Sequence, residues 1–342
     1  MSFPRESWYV AATLEELGDT LVARRILDIP VVLYRLADGS VTALEDRCAH
    51  RPYPLSAGHR DGDRIVCGYH GCTYDPDGTC VLVPSQDNPP LGARVRAFPV
   101  HLSGPFVWVW MGASGGARLR PPPATPELVS EDGWSSTGER RDVAANFMLL
   151  HEHYLDLTNV FEMHAEMVPP GIEALPPLEE VEISEVSVSY VRELPQAPLA
   201  PWEAQASGLR SAAALGAETF GRRETGTFVT PGLHRQTYTI FGAQGPVFEL
   251  VRLHGFTPQN RSTTRVFLQL AWRGAAVAAD ADRRLAEVFH AMADRDTAVI
   301  ETMQRCLDED GTTRRYVNVK ADRAAVRARR IVQSMIEEER GR

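Results

Sequence analysis

Cysteine is scarce in this sequence, with five in 342 residues. The count is odd, so no disulfide framework is read from it, and Cys72, Cys80 and Cys306 read as reduced thiols. Long apolar runs are missing too: the stretch from Phe106 to Met111 is strand-length and cannot span a bilayer. Lys and Arg number 36 against 45 Asp and Glu, for a net charge of −9, and form no block, which argues against a nucleic-acid partner. The N-terminus, Met1 to Glu6, lacks the basic and apolar regions of a secretory signal, so the expectation is a cytoplasmic protein without a membrane segment. There is no internal repeat and no glycine fingerprint for a dinucleotide.

Hydrophobic residues make up 44% of the chain, ample for real cores. At ~100–200 residues per domain, two domains are expected. Residues 1–115 read as short strands broken by turns. Stretches 22–34 and 41–44 flank Asp38-Gly39, a hairpin signal, and Asp75-Pro76-Asp77-Gly78 is a second turn before a strand at 79–83. Strands at 95–102 and 105–111 complete an all-β domain. Residues 116–130, rich in Gly and Pro, read as a linker. Residues 131–342 read as a second domain. It has a helix over 141–158 and strand-like runs at 180–194, 226–241, 247–257 and 264–273. An irregular stretch, 195–224, reads as a flap; a long helix covers 280–307 and a charged helix 323–339. The fold class is therefore α+β, an all-β domain followed by a large antiparallel sheet with helices.

Cys48-Ala49-His50 and, after sixteen intervening residues, Cys67-Gly68-Tyr69-His70 form the most specific pattern. Two thiolates and two imidazoles interleaved as C-x-H and C-x2-H suit a Rieske [2Fe-2S] centre, with Cys48 and Cys67 on one iron and His50 and His70 on the other. The neutral imidazoles raise its potential, making it a one-electron relay. A zinc site is the alternative for such a set, but zinc modules usually pair their ligands as C-x2–4-C and H-x3–5-H.

A second group of polar residues surrounds the first helix of the second domain. Phe147, Leu150, Tyr154, Leu157 and Phe161 step by three and four along one apolar stripe. On an ideal helix His153, Asp156 and His164 share roughly one side, yet His153 and His164 stand ~16 Å apart along the axis at 1.5 Å per residue. They cannot meet one ion while the helix is straight. Asn159 and His164 converge only if it breaks. In the long helix Leu285, Val288, Phe289, Met292, Val299 and Met303 mark a stripe with Asp296 in its middle. A buried carboxylate without a partner is costly, so a cation or a metal should meet it. One carboxylate, His164 and a ligand from 153–159 approach the facial arrangement of non-haem Fe(II) sites. Arg252 and His254 alternate onto one strand face, either into a pocket, where a cation suits an acidic aromatic substrate, or out to solvent. Trp202 is placed at a pocket entrance, and His151, on the far side of its helix, reads as structural.

With these motifs the sequence resembles the oxygenase (alpha) component of the Rieske non-haem iron oxygenases, and within them the vanillate and dicamba O-demethylase type. The resemblance runs from Ser7-Trp8-Tyr9-Val10-Ala11-Ala12 through both Cys/His motifs, His153-Tyr154-Leu155-Asp156-Leu157 and Arg295-Asp296 to Ala324-Ala325-Val326-Arg327. It implies a helix-grip catalytic domain, a [2Fe-2S] cluster, a mononuclear Fe(II) and a head-to-tail homotrimer. It also implies electrons from NAD(P)H through a separate reductase or ferredoxin, and O2-dependent hydroxylation or O-/N-demethylation of a small substrate. By the same resemblance Asp156 is the bridging carboxylate through which His70 of one subunit reaches the iron of the next. The iron ligands fall on Asn159, His164 and Asp296, with Asn where the family has its first histidine. Three arrangements are open: Asn159 binds iron through its amide oxygen, the one adopted; His153 takes its place after a local shift of the helix; or the iron site is weak or empty. The last would make the chain an electron-transfer or binding protein.

Overall fold

The computed structural model describes residues 3–129, 133–176, 178, 180–209, 218–274, 280–311 and 315–341. The chain divides into two compact units, one of residues 1–124 with 257–261, the other of residues 125–256 with 262–342. Among the described residues no helix is long and apolar enough to cross a membrane.

The first unit is all β apart from short helical turns. Strands β1 (Trp8–Thr13), β10 (Val100–Ser103) and β11 (Phe106–Trp110) form one sheet in the order β1-β11-β10. A second sheet runs β2 (Val22–Ile26), β3 (Ile29–Arg35), β4 (Val41–Glu45), β9 (Ala97–Phe98). A third runs β5 (His59–Asp61), β6 (Arg64–Val66), β7 (Thr73–Tyr74), β8 (Cys80–Leu82). The apolar run 106–111 is a central strand, buried at every position of β11. The stretch 22–34, expected as one strand, is a hairpin. Leu27 and Asp28 both take positive φ, 52° and 67°, the two-residue turn whose twist matches paired strands. Neither is Gly or Asn, so the turn carries no sequence signal. The four-residue helix α1 (Gly116–Leu119) follows.

The second unit is built on a seven-stranded antiparallel sheet in the order β12-β18-β17-β16-β15-β14-β13. Its strands are β12 (Ser135–Val143), β13 (Glu180–Ile183), β14 (Val188–Ala197), β15 (Phe220–Thr230), β16 (Leu233–Gly242), β17 (Gly245–Asn260) and β18 (Thr263–Gly274). The run 226–241 is two strands turned at Pro231-Gly232, with Thr230 paired to Leu233. Residues 141–143, expected in a helix, pair with Val266, Arg265 and Thr264 of β18. Helix α2 (Phe147–Asp156) begins only after Asn146, whose side chain accepts from Met148 N at 2.9 Å. In the expected flap, residues 195–197 belong to β14, α4 (Pro201–Ser207) follows, and 220–224 belong to β15; 210–217 lie outside the described residues.

One face of the sheet packs on α5 (Ala281–Asp310) and α4 around Trp202, Phe248, Leu270, Trp272, Leu285 and Phe289. The buried stripe of α5 runs Leu285, Phe289, Met292, Asp296, Ile300, whereas Val299 and Met303, expected in it, are 38% and 37% exposed. Steps of three and four keep Asp296 inside the stripe. The C-terminal α6 (Arg323–Arg340) buries Ala324, Ala325, Ala328, Ile331 and Val332.

Helix α4 is fixed by a charge cluster with no signal in the sequence. Arg222 and Glu203 are fully buried and paired at 2.6 Å. Arg222 donates to both Glu203 oxygens and to the carbonyls of Ala197, Pro198 and Phe220, and Tyr238 donates to Glu203 at 2.7 Å. All five guanidinium N–H groups are thus satisfied. Replacing one partner strands the other's charge, so Arg222→Met should lower unfolding stability by about 3–5 kcal/mol. The double variant Arg222→Met/Glu203→Gln should be milder, and denaturant melts of the two measure the difference.

Candidate functional site: two clusters of histidine with cysteine or carboxylate

In the first unit the loop before β5 and the turn between β6 and β7 bring both Cys/His motifs together. Cys48 and Cys67 are both buried. His50 and His70 are exposed, with ring centroids 4.7 Å apart. The loops close because backbone fills the space a side chain would take: a Cβ on Gly68 would stand 2.8 Å from Ala57 O, and Gly71 takes φ +74°. Burial pushes the Cys48 thiol up, but the Tyr74 hydroxyl and the N–H groups of His50 and Arg51 outweigh it and its pKa falls below the usual value. Ala49 N donates to the Tyr74 oxygen at 3.0 Å, leaving the phenol proton for Cys48 Sγ at 3.1 Å. Two inward thiols and two outward imidazoles are a donor set that fits a Rieske cluster. Cys72 and Cys80 are buried beside it in the same core.

In the second unit the helix carrying His153 does not continue to His164. Helix α2 ends at Asp156, and Leu157 takes left-handed φ 58°. The Asp156 carboxylate accepts from Thr158 Oγ1 at 2.7 Å and from Thr158 N at 3.3 Å, a local turn that competes with the helix. Arg192 donates to Asp156 O. A single turn, α3 (Val160–Met163), leads to His164. On α5, Arg295 donates to Met163 O at 2.8 Å and pairs with Glu166, which holds this segment in place.

The break removes the axial separation that a straight helix imposes. His164 Nε2 lies 2.7 Å and His153 Nε2 3.1 Å from the same oxygen, Asp296 Oδ1. Tyr154 donates to Oδ2 at 3.3 Å. Burial pushes the Asp296 carboxyl up, but the two imidazoles hold it well below the usual carboxylate range. The structure thus brings His164 and Asp296 together and adds His153. Asn159 stands one step out, its Nδ2 3.3 Å from His153 Nε2 and 3.5 Å from Met163 Sδ. The Asp156 side chain faces its own turn. Among the described residues no group of three or more His, Cys, Asp or Glu side chains is spaced to hold a metal ion, and here the imidazoles close directly on the carboxylate. Two imidazoles and one carboxylate, buried together, are nevertheless the donor set of a non-haem iron site.

A cleft of about 770 Å³, open solvent at its mouth included, meets these residues. Its walls include Leu157, Ile172, Trp202, Leu250, Phe289 and Met292. Arg252 lines it too, over the Phe289 ring at 5.5 Å, and among the described residues it makes no salt bridge. His254 and His234 are buried beneath, near Tyr154, and burial first of all drives both pKa values well below the usual histidine value. His151 is fully buried against Phe228 and Phe256. Sequence reasoning missed Tyr74, the donor to Cys48, because strand pairing alone brings it there.

Residues 143–338, more than half of the chain, match the vanillate O-demethylase oxygenase C-terminal domain. The chain belongs to the vanillate O-demethylase oxygenase family. As expected there, residues 7–99 match the Rieske [2Fe-2S] domain. One relative is the iron-sulfur subunit of a toluene-4-sulfonate monooxygenase system from Comamonas testosteroni. It is 36% identical over 169 residues, 47% of this chain and 47% of the relative. The dicamba O-demethylase oxygenase component of Stenotrophomonas maltophilia is 37% identical over 167 residues, 48% of each. The chain spans about half the length of the curated relatives it matches. A crystal structure of dicamba monooxygenase with non-heme iron and dicamba superposes with TM-score 0.78 at 25% identity, covering 100% of this chain and 99% of that one. The family's architecture, an all-β Rieske domain and an antiparallel sheet with helices, is the one seen here.

Tyr74→Phe removes the hydrogen bond to Cys48 Sγ. Such a bond favours the more negative reduced cluster, so its loss, worth about 1 kcal/mol, should lower the cluster's reduction potential by roughly 40 mV. Voltammetry of the cluster-loaded protein measures it, and an unchanged potential would show the contact is electrically idle.

Proposed function

We propose that this chain is the terminal oxygenase component of a Rieske monooxygenase. It hydroxylates or O-/N-demethylates a small aromatic, acidic substrate, with O2 and electrons from a separate NAD(P)H-dependent reductase or ferredoxin. The observation that carries the reading is the buried meeting of imidazoles on Asp296 beside a largely apolar cleft. In this reading Cys48, His50, Cys67 and His70 hold the [2Fe-2S] cluster, and His164 and Asp296 hold the mononuclear iron with one further donor from residues 153–159. When bound, the cluster supplies single electrons and the mononuclear iron supplies O2 activation.

The chain's own residues do the rest. Leu157, Ile172, Leu250 and Met292 exclude water from around a flat apolar ring. Arg252, without a salt bridge among the described residues, anchors the substrate's anionic group and so fixes which carbon lies nearest the iron ligands. A sulfonate in the name of one relative's substrate agrees with such an anchor. Asp156, at the end of α2, is assigned the link between His70 of one subunit and the iron site of the next in a homotrimer. This assignment rests on the family resemblance.

Metal analysis with product detection tests the proposal. Three irons per chain and a reductase-, O2- and substrate-dependent product from a panel of aromatic carboxylates and sulfonates are expected. Iron-loaded protein that yields no product from any panel member would sink the oxygenase reading in favour of an electron-transfer or binding protein. Chelation that removes only the mononuclear iron should abolish turnover while the cluster spectrum persists. Arg252→Met, which removes one charge-assisted contact of about 1.5–3 kcal/mol, should raise KM for the acidic substrate roughly 10- to 100-fold with a smaller effect on kcat.

A further inference from the structure

The geometry points to His153, not Asn159, as the remaining side-chain ligand of the mononuclear iron, completing with His164 and Asp296 a two-histidine, one-carboxylate set split across the helix break. This inference rests on the oxygenase reading and assigns its iron site.

Two sets of contacts and the chemistry of the donors support it. The first is spacing. His153 Nε2 and His164 Nε2 lie 3.1 and 2.7 Å from Asp296 Oδ1. Two bonds of ~2.1 Å from one ion, at a right angle, set their donor atoms about 3 Å apart. The second is proton bookkeeping at His153. Its Nε2 faces both the Asp296 carboxylate and the Asn159 amide nitrogen at 3.3 Å. With the amide nitrogen turned to the ring, Nε2 needs a proton toward the first and a lone pair toward the second, and one ring nitrogen cannot do both; without an ion the amide must present its oxygen instead. A cation between the imidazoles and Oδ1 takes the place of the shared protons, and both rings then present lone pairs to it. The third is donor chemistry. Imidazole suits iron, while amide and carbonyl oxygens suit harder ions such as magnesium and calcium.

Asn159 then has a different task. It stands beside the His153 ring rather than beside Asp296. Its other near neighbour is Met163 Sδ, at 3.5 Å. The side chains of His153, His164 and Asp296 are only 7%, 3% and 4% exposed, so the ion would sit away from bulk water with its ligands held by α2, the post-break turn and α5. Ligands gathered from three elements in this way are fixed by the packing of α2 and α5 and by the Arg295 clamp, not by a local motif.

The full-length protein, reconstituted with its cluster, is titrated with Co(II) followed by visible absorption, and iron per chain is measured after anaerobic loading. Wild-type protein is expected to hold three irons. His153→Ala should hold two, with the cluster spectrum intact and Co(II) affinity down more than 100-fold. His153→Asn, which keeps a polar group against Asp296, should do the same and guards against a folding defect in the alanine variant. Asn159→Ala should still hold three irons, with Co(II) affinity reduced at most about 10- to 100-fold, as for an outer residue. The assignment is overturned if either folded His153 variant keeps three irons, or if Asn159→Ala loses more Co(II) affinity than His153→Asn. Those results leave the oxygenase reading standing, whereas wild-type protein that takes only two irons and no Co(II) overturns both.

Discussion

The Asp296 carboxylate lies on the buried face of a thirty-residue helix, between Met292 and Ile300, and is 3% exposed. An ion in that position costs several kcal/mol unless hydrogen-bonded partners meet it. Here they are His153, His164 and Tyr154. No single straight helix can bring both imidazoles there, since their Cα atoms would stand ~16 Å apart along its axis. The break after Asp156 is therefore what lets both imidazoles meet the buried carboxylate. Its parts follow from this: Asp156 folds back on Thr158, Leu157 turns left-handed, and Arg295 on α5 holds the carbonyl of Met163. Neighbouring residues of one helix thus work on opposite requirements. Asp296 needs donors, and Arg295 supplies one to the segment that delivers them.

The wall of the cleft depends on a second buried charge, satisfied differently. Arg222 and Glu203 have no exposure, and every N–H of the guanidinium has an acceptor within the protein. This pair leaves no open valence and does not invite a ligand; it locks α4, and with it Trp202, against the sheet. Arg252 is the contrast. Its strand places it in the cleft over Phe289, without a salt bridge among the described residues. A cation held at an apolar wall, without a salt bridge among the described residues, is the feature on which the proposed preference for acidic molecules rests.

How much of this was legible in the sequence depends on whether local chemistry or long-range pairing decides each part. The quartet Cys48, His50, Cys67 and His70 could be read because its donors sit in two short motifs, and loop backbone alone brings them together. Asp296 could be read because an acidic residue in an apolar stripe violates its own surroundings. The long helix and the four long β regions were visible for the same reason of periodicity, though Pro231-Gly232, a plain turn signal, was passed over inside an apolar run. The Leu27-Asp28 turn offered no such signal. The position of His153 could not be read, because it depends on where α2 stops, and that is set by the Asp156 side chain competing with the backbone and by the fit of α5. The Arg222 cluster was invisible for a related reason: its members lie on α4, β14, β15 and β16, which meet only once the chain has folded.

The two clusters solve opposite physical problems with overlapping residue types. In the first unit the thiols are buried and the imidazoles exposed, so charge added to a cluster there has its histidine edge at the surface. Electron transfer to another protein or subunit requires such an edge, while the buried thiols, with hydrogen bonds from Tyr74 and the loop backbone, keep water off the sulfurs. In the second unit the imidazoles are buried with the carboxylate, and only the cleft approaches them. Under the proposed oxygenase function, such burial lets the reactive species meet the substrate rather than solvent. Histidine serves both because its neutral ring can be a ligand at either depth. Its neighbours set the difference: backbone N–H groups and a phenol around the thiols, a helix-borne carboxylate against the imidazoles. The exposed pair thus stands at the surface, and the buried pair beside the cleft.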